Sequence, residues 1–197
     1  MADKVYCYPD SDTLKNKLNI HGESRLSEAE IRLVSVRLYQ LQVQPVSGSF
    51  DFNHLCRIHH FIFQDLYSWA GHPRTVDIAK GNSLFCPAWN IQGYAGDIFP
   101  RFYKDCMDAK DSLEQFVRVF SAHYADLNAL HPFREGNGRS QREFCRELCL
   151  KCGYALDLTH ACRDEMLPAS IESLEKGDNT KLEAVFRKCI MSLHNRF

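Results

Sequence analysis

From Ser112 to Leu130 the apolar residues Leu113, Phe116, Val117, Phe120, Tyr124 and Leu127 recur at three- and four-residue steps. An α-helix puts such positions on one face, and a face that apolar must be covered by other elements. The rest of the chain offers cover in the same period. Ile31, Val34, Leu38 and Leu41 predict a helix over Ser27 to Leu41, with Ser27 as N-cap and Glu30 three residues on. Leu55, Ile58, Ile62 and Leu66 predict a second over Phe52 to Trp69, ended by Gly71 and Pro73. Helix is also expected from about Ala95 to Tyr103 and from Thr180 to His194. Between residues 139 and 153, Phe144, Cys145, Leu148, Cys149 and Cys152 share an inward face. Glu143, Arg146, Glu147 and Lys151 read as solvated, and Gly153 as the helix stop. One stretch breaks the period. Residues 74–80 alternate, Gly81-Asn82 interrupts, and Ser-Leu-Phe-Cys follows, which predicts a β-hairpin. The expected fold class is all-α, a helical bundle with one small hairpin.

The 197 residues are 45% hydrophobic, enough for one substantial core, so a single domain over 1–197 is expected. A formal net charge of −1 speaks against nucleic-acid binding by bulk electrostatics. No apolar run approaches the roughly 18 residues that would suggest a membrane span. The opening Met1-Ala-Asp-Lys-Val-Tyr-Cys7 lacks a signal-peptide core, which predicts a cytosolic protein; delivery elsewhere would need an uncleaved signal. Nine cysteines without an export signal read as reduced thiols packing as small hydrophobes. For Cys145, Cys149 and Cys152 to hold zinc they would need a fourth ligand, such as His160 or Cys162.

The chemistry concentrates in residues 131–142, His-Pro-Phe-Arg-Glu-Gly-Asn-Gly-Arg-Ser-Gln-Arg. His131 follows directly on the strongest helix and titrates near neutrality, so it is the candidate base. Phe133 is apolar in a polar run and is expected to pin the loop to the core. Gly136 and Gly138 let the backbone approach an anion and turn its N–H groups inward at a helix N-terminus, where Asn137 offers an amide donor. Glu135 beside a phosphate site makes sense if it holds Mg²⁺, which takes one or two carboxylates together with phosphate oxygens. Arg139 and Arg142 share a face of the next helix and oppose its dipole, a penalty that bound phosphate would offset. Each feature has a plainer reading alone: a capping histidine, an ordinary turn, two solvated arginines. Their combination points to phosphate chemistry.

His-Pro-Phe-x-Glu-Gly-Asn-Gly-Arg followed by x-x-Arg resembles the signature of the Fic-domain proteins. The likeness extends to Leu55-x-x-Ile58-His59, Phe63-x-Asp65-x-Tyr67-x-Trp69-Ala70-Gly71, Arg74-Thr75-Val76, Lys80-Gly81 and Asn128-Ala-Leu-His131. Tyr8-Pro9 and Leu14-Lys-Asn16-Lys17-Leu18 are similar to short bacterial, toxin-like members. The resemblance implies a single Fic domain with its core over about 52–153. It implies transfer of AMP from ATP to a Ser, Thr or Tyr hydroxyl of a target protein. His131 would be the base and Glu135 the Mg²⁺ ligand. Gly136, Asn137, Gly138, Arg139 and Arg142 would bind nucleotide, with Lys80 and Gly81 added from the flap. Leu84 and Phe85 would dock the target by strand pairing. Gly138 stands where phosphotransferases resembling the Doc toxins have Lys, which favours AMP over phosphate as the group moved. Other nucleotidyl or phosphoryl transfer, or an idle protein-binding module, are the competing readings. The family's inhibitory Ser/Thr-x-x-x-Glu-Gly/Asn pattern is met only by Ser24-x-x-x-Glu28, with Ala29 next, so a separate small antitoxin is the expected brake.

Overall fold

A computed structural model describes residues 4–80, 83–161 and 163–193. Seven α-helices follow one another among these residues: α1 Glu23–Val43, α2 Phe52–Phe63, α3 Ile91–Asp108, α4 Leu113–Leu130, α5 Asn137–Lys151, α6 Arg163–Lys176 and α7 Thr180–Cys189. A hairpin of β1 Ala79–Lys80 and β2 Ser83–Leu84 leaves the bundle between α2 and α3. β3 Tyr154–Leu156 and β4 Ile190–Ser192 pair antiparallel at the other end. The all-α class and the hairpin stand as expected; the second small sheet and α6 were not anticipated.

α4 is the axis. Its Phe116, Phe120, Leu127 and Leu130 are fully buried, and α3, α5, α6 and α7 all pack on it. Ser112 caps it by accepting from the Gln115 N–H at 3.4 Å. α2 begins at its Asp51 N-cap and buries Leu55, Ile58 and Ile62. α1 then covers α2.

Several expected boundaries move. α1 starts at Glu23 after Gly22, so Ser27 lies inside the helix and caps nothing. Its buried stripe is Leu26, Val34 and Leu41, while Ile31 faces outward. α2 ends at Phe63 rather than Trp69. Beyond it the N–H groups of both Leu66 and Tyr67 bond to the Phe63 carbonyl at 3.0 Å, and tight turns bring Leu66, Tyr67 and Ala70 into the core without a helix. α3 is twice as long as expected, and α7 stops at Cys189 where the chain extends to pair with β3. Gly153, with φ of +89°, does close α5.

The outward face assigned to α5 is the clearest error. Glu143 and Glu147 are 4% and 8% exposed. Arg146 donates to Glu143 at 2.6 and 2.9 Å, and His54 lies 3.3 Å from Glu147. Charge suggested solvent, but α5 is sandwiched: Arg146 satisfies the Glu143 carboxylate, while Glu147 Oε1 is buried with no hydrogen-bond partner among the described residues. Burial raises the Glu147 carboxyl pKa. Cys145 and Cys149 are wholly buried and their thiols are pushed up by desolvation, which suits packing groups.

Candidate active site

The turn from α4 to α5 is built so that its carbonyls face inward. His131 ends α4 in the left-handed region, with φ of +41°. Its carbonyl accepts from Arg74 Nε at 2.9 Å, and the Pro132 carbonyl accepts from the Arg74 N–H at 2.8 Å. Asn137 clasps Phe133 both ways: its Oδ1 accepts from the Phe133 N–H at 2.8 Å and its Nδ2 donates to the Phe133 carbonyl at 2.7 Å. His59 Nε2 donates to the Glu135 carbonyl at 3.0 Å, and the Gly136 carbonyl accepts from the Ser140 N–H and hydroxyl, each at 3.1 Å. With those five carbonyls satisfied, the first-turn N–H groups of α5 are left to face a ligand. Asn137 therefore corrects the expectation of a side-chain amide donor. It is 4% exposed and its amide is occupied in holding the loop.

Gly136 is required twice over. Its φ is +82°, and a Cβ there would lie 2.3 Å from the Phe63 ring. Phe133 is fully buried with its ring stacked on His59 at 3.8 Å, as its place in the sequence suggests.

His131 Nδ1 lies 3.2 Å from the Asn128 carbonyl. A carbonyl only accepts, so Nδ1 carries the proton and Nε2 is left with the lone pair a base needs. Phe85 stacks on this imidazole, ring centres 3.8 Å apart and 17° from parallel. Phe85 thus faces the candidate base, whereas its neighbour Leu84 is 76% exposed. Of the flap pair expected to dock a target, only Leu84 points outward. Lys80 supplies backbone to β1; Gly81 and Asn82 lie outside the described residues.

Glu135 Oε1 accepts from the Gly136 N–H at 2.8 Å and from Arg139 at 3.2 Å, and Oε2 accepts from no described residue. A half-exposed carboxylate oxygen beside a helix N-terminus is a hard donor of the kind Mg²⁺ takes, so the residues fit that ion. Arg139 lies over the Phe63 ring at 4.7 Å and binds Glu30 at 2.6 Å. Arg142 is exposed and forms no ion pair among the described residues. A cleft of about 170 Å³ opens beside Arg139 and Arg142, with Gln42 on its α1 side. A larger hollow of about 380 Å³ between the start of α2 and α3 contains none of these residues.

Four supports escaped sequence reasoning. Arg74 is 2% exposed and donates to carbonyls on both arms of the hairpin, Val76 at 2.9 Å and Cys86, as well as to His131. His59 is fully buried, accepts from the Gly71 N–H at Nδ1 (2.8 Å), and is held neutral with its pKa lowered to about 3, chiefly by desolvation. Glu30 and Tyr67 hold Arg139. The sequence alone gives His59, Tyr67 and Arg74 no role, and the spacing of Glu30 from Ser27 suggests only a cap.

The chain is thus a helical bundle with a hairpin beside a turn that runs from His131 into the start of α5. A family model described as the Fic/DOC family matches residues 49–149, just over half the chain, and the chain belongs to that family. It is 37% identical over 187 residues to "Protein adenylyltransferase VbhT" of Bartonella schoenbuchensis, covering 95% of this chain but 39% of that protein. It is 32% identical to "Probable protein adenylyltransferase Fic" of Salmonella typhimurium, with 96% of each covered. Among solved structures, the N-terminal Fic domain of a Bep effector from Bartonella quintana, with bound ADP, superposes with a TM-score of 0.89. That match has 25% identity and covers 95% of this chain and 94% of that one. The BepC protein of Bartonella tribocorum with bound AMPPNP, 23% identical and covering 95% and 96%, has the same fold with a TM-score of 0.87. No helix among the described residues is long and apolar enough to cross a membrane.

Proposed function

We propose that the chain is a protein adenylyltransferase that moves AMP from ATP to a Ser, Thr or Tyr hydroxyl of a target protein. The observation that carries this is His131: its Nδ1–H is tied to Asn128, so Nε2 is the accepting atom, and it lies where α4 hands over to the N–H-rich start of α5. Nε2 takes the hydroxyl proton as the oxygen bonds to the α-phosphorus. The bond from that phosphorus to the oxygen bridging to the β-phosphate breaks, and pyrophosphate leaves. The N–H groups at Gly138 and Arg139 stabilise charge on the phosphates, and Arg142, unpaired by any described residue, meets the outer ones. Glu135 holds Mg²⁺ through Oε2; when bound, the ion neutralises phosphate charge. Lys80 and Gly81 border the nucleotide from the hairpin, and Leu84 meets the target.

Support comes from relatives named adenylyltransferases and from neighbours solved with ADP and AMPPNP. We further propose that a separate small antitoxin restrains the enzyme in a bacterial cytoplasm, since Glu28, the only glutamate in the family's inhibitory pattern, is exposed on α1. Incubation with ATP and Mg²⁺, followed by intact-mass measurement of candidate targets and of the chain itself, tests the reaction. Addition of AMP is expected. Addition of phosphate alone, or no modification across conditions in which ATP binds, would overturn it.

A further inference from the structure

Glu30 lies on α1, before residue 49 where the family match begins, yet it is the strongest partner of the motif's first arginine. Its Oε1 accepts from Arg139 Nη1 at 2.6 Å and its Oε2 from the Tyr67 hydroxyl at 2.5 Å. Tyr67 is 1% exposed and its ring stacks on Trp69 at 4.4 Å, so the far end of this chain of contacts is fixed in the core. The near end continues through Arg139 Nη2 to Glu135 Oε1. We infer that Tyr67, Glu30 and Arg139 form a positioning relay that holds the Arg139 guanidinium and, through it, turns Glu135 Oε2 toward the cation and phosphates.

A carboxylate on a phosphate-binding arginine could instead be a brake, removed before catalysis. The geometry speaks against that. α1 is anchored on both sides of Glu30 by buried Leu26 and Val34, and by a two-pronged Arg37–Asp65 pair at 2.7 and 2.8 Å. With α1 held in place, Glu30 can leave Arg139 only by rotating its own side chain, and the bond from the Tyr67 hydroxyl opposes that rotation. The Phe63 ring beneath the guanidinium fixes its plane as well. Groups that orient a metal-binding carboxylate commonly influence metal affinity about 10–100-fold when lost. Glu30 is therefore a positioning residue, and Arg139 acts as a clamp on Glu135 as much as a phosphate ligand. The inference rests on the nucleotide–Mg²⁺ reading of the site.

The test compares E30A, E30Q and Y67F with E28A, an exposed control on the same helix. Phenylglyoxal labelling read by peptide mapping reports how firmly Arg139 is held and needs no nucleotide. Calorimetry gives ATP affinity with Mg²⁺ and in EDTA, and melting curves accompany both. Expected are several-fold faster labelling of Arg139 in E30A, smaller increases in E30Q and Y67F, and no change in E28A. Affinity for ATP with Mg²⁺ should fall about tenfold in E30A while affinity in EDTA moves less. In transfer assays the KM for ATP should rise more than kcat falls. E30Q keeps the shape and the Tyr67 bond, so it isolates the charge if E30A melts early. Unchanged Arg139 labelling would overturn the relay, as would tighter ATP binding with faster transfer in E30A, which marks a brake. If the wild-type chain binds no ATP, the functional reading fails while the labelling still decides whether the relay exists.

Discussion

The motif loop and the hairpin meet at His131, on which Phe85 stacks, and they are built in opposite ways. Residues 131–136 have no regular structure, yet the carbonyls of His131, Pro132, Phe133, Glu135 and Gly136 are all bonded. The hairpin does have regular structure, but its ladder is two residues per strand and ends with Leu84 in solvent. A two-stranded ladder that short has little stability of its own. Arg74 marks the border, for it staples the hairpin's base to the loop. On the proposed reaction, the preorganised part is where charge would develop, and the adaptable part is the face that would meet a protein.

The comparison breaks most visibly at its centre. His131→Ala should lower transfer by about 10²–10⁴-fold while ATP affinity, set by the start of α5, stays near wild type. Single-turnover rates and calorimetry measure the two separately. Transfer retained by a folded variant would remove His131 as the base.

Next comes the border itself. Arg74→Met keeps bulk but strips donors from the carbonyls of His131, Val76 and Cys86. A buried carbonyl left unsatisfied costs about 1–3 kcal/mol; these three are half-buried, so the low end applies and a loss of about 3 kcal/mol is expected. At roughly 2–4 °C per kcal/mol for a chain of this size, the melting temperature should drop by about 6–12 °C. Transfer should fall with it, because the hairpin base and the His131 backbone are released together.

How much of this was legible in the sequence divides along the same line. The 3.6-residue period revealed α4 and the buried strip of α2, and the crowding of His131, Glu135 and Arg139 pointed to the candidate site. What stayed hidden depends on distance in space rather than spacing in sequence. Tyr67 and Ala70 keep the apolar period of α2 past Phe63, so a turn was indistinguishable from more helix. Glu143 and Glu147 looked solvated because nothing local says that α1 and α2 cover that face of α5. Glu30 sits at capping-box spacing from Ser27, and only the packed bundle shows it reaching Arg139, 109 positions away. β3 and β4 are three residues each, too short for alternation to register.

The loop's rigidity has a pH signature. His59 accepts from the Gly71 N–H at Nδ1 only as a neutral ring, and burial lowers its pKa from 6.5 to about 3. The stability this gives is fully present above pH 6.5. Below it the unfolded chain takes up a proton that the folded one refuses, so stability is lost progressively as pH falls toward 3. The slope from this one group is about 1.4 kcal/mol per pH unit. Urea melts at pH 7, 6 and 5 should show it, and His59→Gln should be less stable at pH 7 but lose less on acidification. Equal slopes in the two proteins would mean that His59 is not held neutral.

The smallest effect on the fold should come from β2. Leu84→Pro deletes an N–H and fixes φ on a strand paired only to Ala79 and Lys80. Leu84 buries almost nothing in the chain itself, so stability should change by no more than about 0.5 kcal/mol, and ATP affinity should hold. Transfer to a protein target should nevertheless fall, because a strand laid along the hairpin loses a backbone partner. Phe85→Leu sharpens the contrast. Phe85 stacks on His131, so its loss should also slow modification of a short peptide carrying a free hydroxyl, which Leu84→Pro should spare. If both substitutions leave protein transfer intact, the hairpin is not the dock. If Leu84→Pro lowers ATP affinity as well, β2 is coupled to the locked side, and the division between loop and hairpin is drawn in the wrong place.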